Sequence, residues 1–299
     1  GKLFPAAQKA IVVRDALQQE LAGLGGEIKF DHQVTDVKKM NGEFVIACGS
    51  EVVTATKLIL ATGGKSVPKT GSDGFGYEIA RRLGHSSLAN YPALAPLTTN
   101  ESLLTELSGV SLSVEWSTYK NNRLLEKGIN DLLFTHHGFS GPAILDASHW
   151  VIRDKAELII NFTKKSAEQW RGFIIEHPSI TTLGLISDII PLRLAKAIIE
   201  KAGVESSERV GNLTKDRRKA LIEAMCHYKL DITGNRGLAV AEVTGGGVPL
   251  DEVNLSTFES RKTEGLYLCG EILDVIGRIG GYNFYWAFVS ARLAGESTK

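Results

Sequence analysis

The chain of 299 residues carries 34 acidic and 34 basic side chains, so its formal net charge at pH 7 is zero. A neutral chain has no global field that draws it to nucleic acid or to an anionic membrane. Hydrophobic residues make up 43% and charged residues 23%, which is ordinary for a globular protein, and no apolar run reaches the ~20 residues of a membrane-spanning helix.

Three cysteines, Cys48, Cys226 and Cys269, lie far apart and show no metal-ligand spacing. Their odd number and isolation argue against a disulfide framework and indicate a reducing compartment. We therefore expect a cytoplasmic protein without a metal site. The sequence opens at Gly1 without a methionine or a signal peptide, which is typical of a fragment or a processed chain.

The first part of the sequence predicts a helix, a hairpin and a buried strand. Apolar residues recur every three to four positions over residues 5–24 and predict a helix that the following glycines end. Alternating apolar residues predict strands from Ile28 and Phe30 onward, with a hairpin turn at Asn41-Gly42. The apolar run KLILATGG, residues 57–64, predicts a strand buried on both faces of a parallel sheet, with a ligand at its C-terminal end.

The rest of the sequence alternates between β-rich and helical patterns. A short helix is predicted to end near Gly84, and short strands, among them LFTHHGFSGPAIL, are predicted over residues 97–161. Helices are predicted over residues 166–228, and a strand over Leu238–Val243 that leads into the glycine run TGGGV. GLYLCGE then predicts another buried strand, and FYWAFVSARLAG predicts the last helix.

The strongest functional pattern is GLYLCGEILDVIGRIGGYNFYWA, residues 265–287. A predicted strand delivers Gly270 and Glu271 to a sheet edge, and the glycines after it let the backbone approach a ligand closely. The helix that begins near Asn283 directs unpaired N–H groups and its positive dipole end at the same place. These features suit a flavin, because the acid can accept a ribityl hydroxyl and the helix can stabilise negative charge on the reduced ring. The alternative is a tight strand-to-helix turn without a ligand.

Other glycine motifs are less specific. LILATGG, Leu58–Gly64, is also explained by close packing, and TGGGV, Thr244–Val248, is equally explained by a flexible turn. The loop GSDGFG, Gly71–Gly76, has the wrong spacing for a dinucleotide fingerprint and follows no strand directly, so we exclude it.

The segments ATGG, LFTHHGFSGPAIL, VTGGGV and CGEILDVIGRIGGYN occur in that order along the chain. Together they resemble the BaiN/RdsA-like family of NAD(P)/FAD-dependent oxidoreductases, also called YhiN-like flavoproteins. The resemblance spans nearly the whole chain. It implies an α/β fold in which an FAD domain of the two-dinucleotide-binding type, truncated at its N-terminus, is interrupted by a β-barrel-like insert and a small helical subdomain. The FAD domain is expected over residues 1–93 and 244–299, the β-rich insert over residues 94–165 and 230–243, and the helical subdomain over residues 166–229.

The resemblance also implies which residues bind FAD. Val34 is expected beside the adenine, and Gly270 and Glu271 along the pyrophosphate and ribityl chain. The other expected cofactor contacts are Ala61, Thr62 and Gly63 after the first buried strand, and Gly280, Gly281, Tyr282 and Asn283 at the isoalloxazine edge. This sequence departs from the family in two ways. It lacks the opening strand, G-x-G-x-x-G turn and helix, and it has Phe284 and Tyr285 where the family tends to have leucine and glutamine.

The function implied by the resemblance is that of an FAD-dependent oxidoreductase. NADH or NADPH would reduce the flavin, which would then reduce an electron-poor C=C bond in a small molecule. A first alternative is an RNA-contacting flavoprotein that modifies a uracil in ribosomal RNA, with the basic run Lys215–Lys219 at phosphate. The neutral net charge does not indicate strong RNA binding, and the same run fits the solvated face of a helix. A second alternative is a non-catalytic fragment.

Histidine is the commonest acid–base residue, which makes His136 in LFTHHGFSGP the catalytic candidate. The alternative, which we favour for His137, is a histidine at a tight turn. Cys269 is expected to be buried and unreactive. Phe284, Trp286 and Phe288 are expected to pack the last helix against the sheet.

Overall fold

The computed structural model describes residues 4–299. The strands in this range are β1 (Asp36–Met40), β2 (Glu43–Cys48), β3 (Glu51–Ala55), β4 (Leu58–Leu60), β5 (Leu88–Ala93), β6 (Leu97–Thr98), β7 (Ser111–Lys120), β8 (Arg123–Thr135), β9 (Gly138–Ser140), β10 (Glu157–Asn161), β11 (Tyr228–Lys229), β12 (Gly234–Asn235), β13 (Val243–Gly247) and β14 (Leu266–Leu268). The α-helices are α1 (Ala10–Gly23), α2 (Phe75–Arg82), α3 (Ser102–Thr105), α4 (Pro142–Asp154), α5 (Ala167–Glu176), α6 (Thr182–Ser187), α7 (Leu192–Lys201), α8 (Lys215–Cys226) and α9 (Tyr282–Ser297).

The two ends of the chain meet in one α/β unit, formed by β1–β4, α2, β14 and α9. β4 pairs in parallel with β14, so that Leu58 lies beside Leu266 and both strands end at the same edge. The antiparallel sheet β1-β2-β3 packs beside them through the buried side chain of Phe44. Asn41 and Gly42 both have positive φ, as a tight two-residue hairpin turn requires, and this confirms the predicted hairpin.

Two predictions in this unit are corrected: the burial of the first parallel strand on both faces, and the strand around Ile28. The run KLILATGG is not buried on both faces: β4 ends at Leu60 and Ile59 is 37% exposed. Ile28 and Phe30 form no strand and are exposed. The reason is the same in both cases. Within the part of the chain that the structure describes, β4 has a partner on one edge alone and the segment around Ile28 has none, so neither is enclosed by a wider sheet.

Residues 97–235, which we call the sheet unit, contain the largest hydrophobic core. Among the described residues its sheet has seven strands in the order β11-β10-β7-β8-β9-β6-β12, and α4 packs against it. LFTHHGFSGPAIL was expected to form short strands with a turn, but after β9 the segment from Pro142 onward is a helix. Proline suits the first helical position because the N–H it lacks has no partner there, and Gly141 makes the turn with φ of +86°.

Helices α5–α8 complete the sheet unit and confirm the helical prediction over residues 166–228. Ser166 and Gln169 form a reciprocal capping box at the start of α5. The basic run Lys215–Lys219 opens α8, where Arg217 forms an ion pair with Glu208.

The residues Thr244–Gly247 of TGGGV lie within a strand, which corrects the prediction of a strand over Leu238–Val243. β13 begins at Val243 and pairs antiparallel with β5. A Cβ atom at Gly245 would lie 2.3 Å from the ring of Tyr91, and one at Gly246 would lie 2.3 Å from the carbonyl oxygen of Ala89. Glycine is therefore required because β5 lies too close for a side chain.

A buried histidine links α2 to the segment before β14. The side chain of His85 is fully buried, with Nδ1 2.9 Å from Glu252 Oε2 and Nε2 2.7 Å from Ser260 Oγ. Because Ser260 Oγ accepts N–H groups of Lys262 and Thr263, its own hydrogen points to the ring. Burial lowers the pKa of His85, so the ring is neutral at pH 7.

The helices in residues 4–299 are all too short or too polar to cross a membrane.

Candidate cofactor site

A cavity of about 450 Å³ lies where the ends of β4 and β14 meet the start of α9. Its volume falls within the usual range for ligand pockets. The sequence-predicted residues on its wall are Ala61, Gly63, Gly270, Glu271, Gly280, Gly281 and Asn283. These residues come from both ends of the chain, and the parallel pairing of β4 with β14 brings them to one place.

Other predicted site residues lie elsewhere. Val34 packs against the core of the α/β unit, and Tyr282 is 61% exposed outside the cavity wall. Thr62 contacts α2, where a Cβ atom at Gly76 would lie 1.8 Å from its Oγ1. Roles for these residues in cofactor binding stay predictions.

The carboxylate of Glu271 is fixed in the cavity wall. Its Oε1 accepts the N–H of Thr244 at 2.8 Å, and its backbone carbonyl accepts the hydroxyl of Tyr77 at 3.2 Å. Thr244 is held in turn, since its Oγ1 accepts the N–H groups of Lys65 and Ser66 at 2.7 and 2.9 Å. Among residues 4–299, Glu271 Oε2 accepts no hydrogen bond, so this oxygen is available to a ligand.

Gly64 belongs to the same packed contact. A Cβ atom at this position would lie 2.3 Å from Glu271 Oε1 and 2.4 Å from Thr244 Oγ1. Gly64, the last residue of LILATGG, must therefore be glycine, because the Glu271 carboxylate at the cavity wall occupies the position that a side chain would need.

Helix α9 begins at the cavity with unpaired backbone donors. Its N-cap is Gly281, with φ of +96°, and no side chain caps the first turn. The first N–H groups of a helix have no partner within the helix and carry its positive dipole end. Gly270 is bonded to α9 at both of its backbone polar groups, since its N–H donates to Ser290 Oγ and its carbonyl accepts Trp286 Nε1. The helix is thereby fixed relative to β14.

The side chain of Asn283 closes the glycine loop on itself. Its Oδ1 accepts the N–H of Gly277 at 2.7 Å, and its Nδ2 donates to the carbonyl of Gly277 at 3.0 Å. The side-chain amide is thus engaged within the loop, and what Asn283 offers the cavity is its backbone N–H.

Several wall residues were missed by the sequence analysis. Glu242 and Val243 stand directly before TGGGV, and proximity to that motif was the one available signal. Phe284 and Phe288 line the cavity at helical spacing, 75% and 55% exposed, so the expectation that they pack against the sheet is wrong. The same expectation is correct for Trp286, whose ring contacts Phe258 edge-on at 5.6 Å between centroids.

Neither histidine of LFTHHGFSGP lies on the cavity wall. His136 and His137 are exposed at the turn between β8 and β9. The catalytic role of His136 stays a prediction. Cys269 does line the cavity and is buried as expected, and burial raises the pKa of its thiol to about 11. The thiol is therefore protonated and weakly nucleophilic at pH 7.

The sequence profile of the HI0933-like protein Rossmann domain matches residues 1–297. The chain belongs to the HI0933-like family. Membership confirms the resemblance to BaiN/RdsA-like oxidoreductases, a Rossmann-type α/β domain and the assignment to FAD-dependent enzymes.

Curated relatives of this HI0933-like protein are similar over almost the whole chain. A ribosomal RNA dihydrouridine synthase of Haemophilus influenzae is 33% identical over 97% of this chain and 73% of its own length. A ribosomal RNA dihydrouridine synthase of Escherichia coli is 32% identical over 97% of this chain and 72% of its own length. A 3-dehydro-bile acid delta(4,6)-reductase of Clostridium scindens is 30% identical over 99% of this chain and 75% of its own length.

The cavity suits the FAD that the HI0933-like family implies. Its wall combines apolar side chains with one fixed carboxylate and an uncapped helix N-terminus, which are the groups that a ribityl hydroxyl and the polar edge of a flavin need. A Cβ atom at Gly281 would meet no protein atom within 4 Å, so this part of the wall has room for a ligand. No group of acidic, histidine or cysteine side chains within residues 4–299 could hold a metal ion.

Proposed function

We propose that this protein uses FAD and NADH or NADPH to reduce an electron-poor C=C bond. The observation that carries the proposal is the convergence of Glu271, the ends of β4 and β14 and the uncapped start of α9 on one cavity. The names of the relatives support the reaction type. Dihydrouridine differs from uridine by two hydrogens across a C=C bond, and a delta(4,6)-reductase acts on double bonds.

When bound, FAD supplies hydride transfer from reduced nicotinamide to the substrate. The first N–H groups of α9 would stabilise negative charge at the polar edge of a bound flavin ring. Glu271 would accept a hydroxyl of the ribityl chain through its unpaired oxygen. Ile279, Phe284 and Phe288 line the cavity and would shield a bound ring from water, which would strengthen both electrostatic contacts.

Reduction of a C=C bond also needs a proton at the second carbon. The titratable side chains on the cavity wall are Glu242, Cys269 and Glu271. Cys269 is a weak acid with a pKa of about 11, and Glu271 is engaged by Thr244. Glu242 is exposed at the cavity wall and can exchange protons with solvent, so we propose it as a second candidate proton donor, in addition to His136.

A second candidate function is reduction of a uracil in ribosomal RNA, supported by the names of two relatives that are similar to this chain. In either case we assign substrate docking to the sheet unit, within the insert boundaries expected from the sequence. The basic run at the start of α8 is its candidate phosphate contact, with Lys215 and Lys219 exposed.

The proposal is tested on the full-length protein by its visible absorption spectrum and by NADH or NADPH oxidation. We expect a flavin band that bleaches when reduced nicotinamide is added without oxygen. Reoxidation is then measured with a conjugated enone and, separately, with a uridine-containing ribosomal RNA fragment. The product should contain two added hydrogen atoms by mass spectrometry. A protein that binds no flavin in the presence of excess FAD would refute the proposal.

A matched pair of variants tests the assignment of Glu271. Glu271→Gln loses the charged acceptor for the ribityl hydroxyl and should weaken FAD binding on the order of tenfold. Glu264→Gln, at an exposed position outside the cavity wall, should bind FAD like the wild type. Equal affinities in all three proteins would show that Glu271 does not contact the cofactor.

A further inference from the structure

A buried carboxylate in the sheet unit contacts the glycine loop of the cofactor site. Asp146 lies on α4 and is 5% exposed. Its Oδ1 accepts the backbone N–H of Ile279 at 2.7 Å, across a separation of 133 residues in sequence. A buried carboxylate is costly unless it is hydrogen-bonded, so this single contact has a strong effect on where the loop lies.

The neighbouring loop residue is attached to the same unit. Arg278 forms an ion pair with Glu126 on β8, and Glu126 also accepts Trp150 Nε1 at 2.6 Å. The Arg278 side chain is 65% exposed, and exposed pairs contribute little to stability. The contact of Asp146 with the backbone is therefore the stronger of the two attachments.

The attached loop is continuous with the cofactor cavity. Ile279 and Gly280 line its wall, and Gly281 caps α9. The side chain of Asn283 bonds both backbone groups of Gly277, so the loop is a closed unit that moves as one piece with the first turn of α9. Any group that fixes Ile279 consequently fixes the helix donors that face the cavity.

We propose that Asp146 is a positioning residue for the flavin: its carboxylate holds Ile279 and thereby sets where the N-terminus of α9 meets the ring. The inference rests on the proposed function, and it adds a connection between the sheet unit and the reactive end of the cofactor. Burial raises the pKa of Asp146, while the bond to Ile279 and the charge of Arg278 lower it and the charge of Glu126 raises it further. Burial of the ionised Asp146 carboxylate therefore lowers the stability of the fold, which fits a role in positioning rather than in stabilisation.

The first test needs no cofactor. Trypsin cleaves after arginine, and the bond after Arg278 contains the N–H that Asp146 accepts. Asp146→Ala should raise the rate of cleavage after Arg278 on the order of tenfold, because loss of a charge-assisted hydrogen bond raises local opening by that factor. Asp146→Asn keeps an acceptor oxygen and should restore most of the protection.

Two controls separate local release from general instability. Asp154→Ala removes a partly exposed carboxylate from the same helix without touching the loop, and should cleave like the wild type. Cleavage after Arg171, which is exposed on α5, reports opening elsewhere in the protein. The quantity compared among the variants is therefore the ratio of the cleavage rate after Arg278 to the cleavage rate after Arg171. Asp146→Leu, which removes the acceptor but keeps a side chain of similar shape, replaces the alanine variant if that variant does not fold. If this ratio of cleavage rates is the same in the wild type and in the Asp146 variant without an acceptor, the inference is overturned.

The second test measures the flavin in the full-length protein. Asp146→Ala should lower the affinity for FAD roughly tenfold and make the flavin harder to reduce, and Asp146→Asn should restore both. If the wild type binds no FAD, the proposed function fails while the trypsin test still reports on the loop. If the wild type binds FAD and the affinity and reduction potential of Asp146→Ala are unchanged, the proposed function survives and the role of Asp146 is refuted.

Discussion

Replacing Gly64 by alanine puts a methyl group where the wall of the cavity has no room. The new Cβ atom would lie 2.3 Å from Glu271 Oε1 and 2.4 Å from Thr244 Oγ1, whereas ordinary contacts begin at 3.4 Å. Glu271 or Thr244 must therefore move by about 1 Å, the difference between these distances. Gly64 does not have a positive φ, so the backbone accepts alanine and the effect is steric.

The displacement should reduce both stability and cofactor binding. Overpacking a closed contact costs about 1–3 kcal/mol of unfolding free energy. A Glu271 carboxylate that has moved by about 1 Å would lose the hydrogen bond that we propose it makes to the ribityl chain, and a bond to a charged group contributes about 1.5–3 kcal/mol. We therefore expect the dissociation constant for FAD to rise roughly 10- to 100-fold.

Urea unfolding and fluorescence titration with FAD check these two numbers on the full-length protein. Gly172→Ala is the matched control: this helical glycine has no neighbour within 4 Å of its Cβ position. The control should gain about 0.5–1 kcal/mol of stability, as alanine does in helix interiors, with unchanged FAD affinity. A Gly64→Ala protein with wild-type stability and affinity would refute the steric argument.

Three further predictions concern titratable groups. A thiol reagent should label Cys48 in the folded protein and reach Cys226 and Cys269 only after unfolding, because burial raises the pKa of both buried thiols to about 11; labelling of either in native buffer would contradict this. Burial lowers the pKa of His85, so the contribution of this ring to the free energy of unfolding is present above the unfolded pKa of ~6.5 and is lost as the pH falls. In urea unfolding, the free energy of unfolding of His85→Gln should therefore fall less between neutral and acid pH than that of the wild type. Burial raises the pKa of Asp146, so here the sign is reversed: the contribution of this group to the free energy of unfolding is present below the unfolded pKa of ~3.9 and is lost as the pH rises. The stability of Asp146→Asn relative to the wild type should therefore increase as the pH rises above about 4, and a constant difference would count against the burial effect.

The sequence by itself determined the elements that carry the site. The apolar runs around Leu58 and Leu266 predicted two parallel-sheet strands, and the structure pairs them directly. The predicted last helix and its glycine entry are present, with Gly281 as the N-cap. These features were readable because burial of a short strand and a left-handed cap each impose a local residue pattern.

Tertiary structure alone decided which side chains face the cavity. Phe284 and Phe288 were predicted to be core residues, yet they line a cavity. Apolar periodicity identifies the apolar face of a helix but does not determine which surface that face contacts. TGGGV read as the end of a strand, whereas the close approach of β5 puts the glycines inside one. Asp146 gave no signal at all. Its contact with Ile279 joins residues far apart in the chain, and only the packing of α4 beside the glycine loop brings them within hydrogen-bond distance.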